Sequence, residues 1–153
     1  MNSRRFTVPT IIGAGLLAAA ALGVGQAAAH HAFSAEFDGK APVLLRGKVT
    51  KVEWINPHAW VHLNAAGPDG QVREWMVEGG TPNTLLRAGI TRDSLKVGTE
   101  IIVRGYQSKD KDCTQVCKAN GRDVTFPDGR KLFMGSSGTG APKDGSDPTE
   151  TPK

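Results

Sequence analysis

No apolar run in the sequence reaches the ~20 residues that a bilayer span needs; the longest, 11–24, falls short of it. A membrane anchor is therefore disfavoured. Lysines and arginines are not clustered, which removes the electrostatic footprint of a nucleic-acid binder. There is no G-x-S-x-G and no phosphate-cradling loop, and Glu36, Asp38, Glu53, Glu74 and Glu78 are scattered carboxylates without paired spacing. Nothing nominates catalytic residues, and a non-enzymatic binding protein is the expectation. Cysteine occurs only twice, so at most one disulfide is available, and no internal repeat is visible.

What is present begins with an export pattern. Arg4 and Arg5 precede the apolar run, and Ala27-Ala28-Ala29 follows it: a charged, then greasy, then small-residue order that reads as a cleaved signal peptide over 1–29. Cleavage removes two arginines and no acid, lowering the net charge from +4 to +2. The expectation is a periplasmic protein with no stable membrane insertion after cleavage. The remaining length suits one domain with one modest core, over 30–134. From residue 135 the chain is Gly, Ser, Thr, Pro, Lys and Asp without an apolar anchor, which predicts a disordered tail over 135–153.

The densest β-forming run is 49–63, V-T-K-V-E-W-I-N-P-H-A-W-V-H-L, broken once by the turn pair Asn56-Pro57. Before it, Phe33 and Phe37 lie in an amphipathic lead-in able to pack the N-terminal side onto the domain. A long strand is expected over 43–55. Its apolar phase runs Val43, Leu45, Val49 and then shifts to Val52 and Trp54, which predicts a bulge between Gly47 and Lys51. The next strand, 59–65, alternates cleanly, with Ala59, Val61, Leu63 and Ala65 on the core face and His58, Trp60, His62 and Asn64 opposite.

A turn at Gly67-Pro68-Asp69-Gly70 leads to a third strand over 71–78, whose core face the pattern leaves undecided. Thr81 as cap, Pro82 at the first helical position and a closing Gly89 mark a short helix over 82–88. A fourth strand is expected over 99–106 and a polar loop holding both cysteines over 107–120. A hairpin about Pro127-Asp128-Gly129-Arg130, over 122–134, completes the fifth. Three strands, a short helix, a fourth strand and a fifth is the order of an all-β, five-stranded Greek-key barrel of the OB type; an unrelated small β-sandwich is the alternative.

The segments His30-His31-Ala32-Phe33, Trp54-x-Asn56-Pro57-His58, Trp75-x-x-Glu78-Gly79, Asn83-x-Leu85-x-Arg87-x-Gly89 and Asn120-Gly121-Arg122 with Asp128-Gly129-Arg130 resemble an exported bacterial family of unknown function, the domain of unknown function 6152 type. The resemblance spans 30–135. It implies a small periplasmic β-rich domain and supplies no reaction and no substrate; the cysteine pair is not part of it.

The histidines form two pairs. Cleavage after Ala29 makes His30 the first residue, where a free amine and one ring nitrogen chelate together and a further imidazole completes the tetragonal nitrogen set that Cu(II) favours. Cleavage one residue earlier puts a histidine third, another copper-binding arrangement. His58 and His62 on a strand are ~13 Å apart, whereas two ligands of one metal lie within ~4 Å of each other, so at most one of them joins the pair. His58, at the turn, is the better candidate. The expected metal ligands are thus His30, His31 and His58, with copper as the only candidate cofactor. In the plainer reading His58 bonds the turn and His62 is a polar residue on a wet face.

Cys113 and Cys117 are expected to form a disulfide that pins a loop rather than holding the fold; a thiol copper site is the sharper alternative. A second function is also open: Trp60 with His62 on the outer face of the second strand could bind a small ligand such as a saccharide or peptide, or another periplasmic protein, as barrels of this type bind oligomers there.

Overall fold

Alternation along the second strand sets the frame for the barrel. In the computed structural model, which describes residues 33–111 and 113–135, Val61, Leu63 and Ala65 of β2 (Trp60–Ala66) are buried, as is Ala59 just before it, while Asn64 is exposed. β1 (Phe37–Glu53) is one long strand that pairs through 37–48 with β4 (Glu100–Ser108) and through 47–53 with β2. The bulge expected from the phase shift is present: Val49 faces Leu63, but Lys51, not Thr50, faces His62. The extra residue turns Val52 inward, opposite Val61, and Lys51 and Glu53 outward.

β3 (Val72–Glu78) pairs with β2, and it buries Trp75 and Val77 while Val72 is exposed. The helix α1 (Pro82–Arg87) follows as expected. Thr81 Oγ1 accepts a hydrogen bond from Thr84 N at 3.1 Å, and Gly89 closes the turn at φ 86°, a conformation that disfavours any side chain. Leu85, Ile90 and Leu95 from this connection join the core.

The fifth strand is a correction. It begins inside the stretch expected to be a polar loop: β5 covers Val116–Thr125, and the fourth strand runs on to Ser108. β5 pairs antiparallel with β4 and parallel with β3, Glu74 facing Val116 and Val77 facing Ala119. That parallel seam closes a five-stranded barrel in the order β1-β2-β3-β5-β4, the OB-like fold. β6 (Lys131–Phe133) adds a short hairpin strand to the far half of β5 across the 127–130 turn. Side chains facing the interior of β5 are small, Cys117, Ala119 and Gly121. A Cβ on Gly121 would sit 2.7 Å from Met134 Sδ and 2.9 Å from Val77 Cγ1, so these side chains would have to shift to admit it.

Phe33 and Phe37 bury themselves with Tyr106, rings 5.7 Å apart in both pairings with Phe33. The lead-in is also tied by backbone: Glu36 O accepts from Lys109 N at 2.8 Å, and Ser34 O accepts from Lys109 Nζ. Cys113 and Cys117 form a disulfide. The segment 1–29 expected as a signal peptide, His30, His31 and residues 136–153 of the expected tail lie outside the described residues.

Candidate functional site

Two histidines end up on the outer face of the β2–β3 region in opposite states. His62 is a correction to the wet-face reading: only 7% of it is exposed, between two carboxylates. Its Nδ1 lies 3.0 Å from Glu74 Oε1 and its Nε2 3.0 Å from Glu53 Oε1. The register explains this. His62 faces Lys51 on one side and Met76 on the other, so Glu53 and Glu74, each two residues further along, reach it diagonally. A carboxylate oxygen stands 3.0 Å from each ring nitrogen, so neither nitrogen is left for a ligand. The ammonium of Lys51, 2.7 Å away, and then the His62 ring hold the Glu53 carboxyl below its ordinary pKa.

His58 stands at the end of the Asn56-Pro57 turn, a third of its side chain exposed. Its Nδ1 is 3.3 Å from the carbonyl oxygen of Gly79 and 3.3 Å from Glu78 Oε1. A carbonyl oxygen can only accept, so the hydrogen sits on Nδ1 and the Nε2 lone pair points elsewhere; among the described residues Nε2 has no partner. Glu78 is 7% exposed. Burial raises its pKa and is the largest influence on it, opposed by His58 and Lys118 and by the Asn120 amide, which donates at 3.4 Å. Glu36 pushes in the same direction as burial, so the lead-in is electrostatically within reach of this pair. Asn120 Oδ1 is buried with no partner among the described residues.

Lys118 links the lead-in to the sheet, 3.5 Å from Glu36 and 6.0 Å from the centre of the Trp60 ring. Trp60 is half-buried, with the Lys118 ammonium at the outer limit of cation–π distance from its ring. The structure therefore brings His58 together with Glu78 and sets His62 apart from it. Glu78, Asn120, Lys118 and Glu36 are the neighbours that sequence reasoning did not assemble. Reading Cys117, Ala119 and Gly121 as the inward side of a strand would have put Lys118 and Asn120 on the opposite face. Among the described residues no group of three or more His, Cys, Asp or Glu side chains is arranged to hold a metal ion.

Residues 17–117 match the model of a family described as a family of unknown function, DUF6152. No curated protein and no solved structure matches the chain.

Proposed function

The chain belongs to that family, which brings no reaction or ligand with it, and we propose that this protein is an exported, periplasmic, non-enzymatic binding protein whose N-terminus chelates Cu(II) through His30 and His31 with His58 as a further ligand. The observation that carries this reading is the state of His58. Metal-binding histidines usually donate one ring N–H to a carbonyl or carboxylate, which fixes the tautomer and leaves the other nitrogen for the metal. His58 does so with Gly79 O, and Glu78 Oε1 lies 3.3 Å from the same nitrogen.

The described lead-in is anchored to the sheet beside Trp60. Phe33 is 6% exposed, and Glu36, one helical turn on, meets Lys118 beside Trp60. His31 is two residues before Phe33, a reach of at most about 7 Å at ~3.6 Å per residue. Processing completes the donor set: before cleavage His30 has no free amine, and afterwards amine and imidazole lie on one residue. Protons compete with the metal, so affinity falls as pH drops below the imidazole pKa of ~6.5.

The test is copper titration of the correctly cleaved protein beside a form carrying an extra N-terminal Met-Gly. Tight 1:1 binding lost with the extension is the expected result. Equal affinity of the two forms would overturn the chelate.

A further inference from the structure

On one side of the barrel β1, β4, β5 and β6 lie next to each other, and their register fixes which side chains meet on the outer surface. Leu44 stands opposite Arg104, Arg104 opposite Asp123 and Asp123 opposite Phe133, a row that crosses all four strands. Two residues along, Arg46, Ile102, Thr125 and Lys131 make a second row. Val43, Leu45, Val103 and Val124, their neighbours in the chain, are buried in the core, so alternation turns both rows outward.

The rows mix apolar and cationic side chains. Leu44 is 43% exposed and Phe133 47%, with Ile102 half-buried between them. Each strand adds one cation: Arg46, Arg104, Arg122 beside Asp123, and Lys131. Asp123 is the one carboxylate in the two rows, its Oδ2 2.9 Å from Arg122 Nε and its Oδ1 3.8 Å from Lys131 Nζ. Four cations against one anion leave a net charge of +3 on this face. The carboxylates at its border do not offset that excess, since Glu100 faces Lys48 and Asp128 is 2.6 Å from Arg130. The four cations are scattered along the chain, and only the register assembles them.

We infer that this face docks onto the surface of an anionic phospholipid bilayer, with its cations at the headgroup phosphates and Leu44, Ile102 and Phe133 reaching between them. The spread of the charge selects an extended anionic surface over a single bound anion: Arg46 and Lys131 are three strand spacings apart, ~14 Å, with an apolar side chain between them. Long basic side chains can lie along apolar neighbours and still present their heads to phosphate. Apolar burial added to attraction for anionic lipid is what holds peripheral proteins at a membrane. The contact needs no spanning segment, and it is independent of the copper reading, whose His58 lies on the β2–β3 side.

The test is co-sedimentation of the cleaved protein with vesicles of phosphatidylcholine and phosphatidylglycerol in equal parts, beside vesicles of phosphatidylcholine alone. Binding to the anionic vesicles only, weakening as salt screens the charges, is the expected result. Arg46→Gln with Lys131→Gln should lower the affinity roughly 25-fold, about fivefold for each cation removed from an anionic surface. Lys51→Gln with Lys111→Gln, an equal loss of charge away from the face, should change it far less. Leu44→Gln with Phe133→Gln should weaken binding at unchanged charge; all six side chains are exposed, and circular dichroism checks that each variant is folded. No binding to the anionic vesicles, equal binding to the neutral ones, or equal losses in the two charge variants would each overturn the proposal. Undiminished binding by the Leu44 and Phe133 variant, or its displacement by soluble polyglutamate at equal charge, would overturn it in favour of an acidic polypeptide.

Discussion

His58 and His62 are four residues apart on the same side of the same stretch of chain, yet one ring is clamped at both nitrogens and the other at one. The difference comes from what stands across the sheet. His62 lies between two strands that each send it a carboxylate, Glu53 from β1 and Glu74 from β3. His58 precedes β2, at the edge where the chain turns, and meets Glu78 and a backbone carbonyl on one side only. An imidazole is available for chemistry when its neighbours leave a lone pair uncovered, and exposure follows from that: 9% of the His62 side chain against 33% of the His58 side chain.

The largest way to sharpen this contrast is in stability. His62→Ala leaves Glu53 and Glu74 facing each other without the ring between them. It should be the more costly of the two substitutions, because a ring only 7% exposed loses its place between the strands. His58→Ala should cost less, because its ring is a third exposed and Glu78 keeps the Asn120 amide. Urea denaturation of both variants decides this, and equal losses would break the contrast. Next in size is metal affinity, where the order reverses: His58→Ala should weaken Cu(II) binding roughly 10–100-fold, no less than the loss of a second-shell partner usually costs, and His62→Ala should leave it unchanged. Calorimetric titration of the two variants reads the difference directly.

The smallest effect lies in pH dependence. Glu53 titrates below its ordinary value of 4.5 in the folded protein, because of Lys51 first and His62 second. A carboxylate whose pKa is lowered on folding adds stability above its unfolded pKa, and that contribution disappears as pH falls through the folded one. Thermal melting between about pH 5 and pH 3 should show the parent losing stability on acidification more steeply than Glu53→Gln. Parallel curves would mean that the carboxylate contributes nothing to the clamp around His62.

Much of the barrel was readable because its first two strands follow simple rules. Val61, Leu63 and Ala65 alternate strictly, the break in phase between Val49 and Val52 is the bulge itself, and Thr81, Pro82 and Gly89 each mark a helix boundary by a local cause. The start of β5 was not readable, since its inward residues are Cys117, Ala119 and Gly121, small rather than apolar by pattern. The clamp on His62 was hidden for a different reason. It needs three strands in register, and the bulge at Thr50 decides whether Glu53 or its neighbour points toward the ring. His58 could be nominated from the turn beside it, whereas its neighbour Glu78 and the Asn120 amide that bonds Glu78 lie 42 residues apart and meet only through the parallel seam.

That seam has a consequence for the order in which the molecule assembles. The β1–β2 and β2–β3 hairpins each join neighbours across a short turn, but Glu74 must wait for Val116, with the helix and the whole of β4 between them. Closing the longer loop costs more chain entropy before any contact repays it, so the parallel edge should be the last to form and the first to part. Amide exchange would then run faster at Val77 and Ala119 than at Val61 and Leu63. Before the seam closes, β3 and β5 present two unpaired edges, which makes the interval before closure the period of greatest exposure to pairing with another chain.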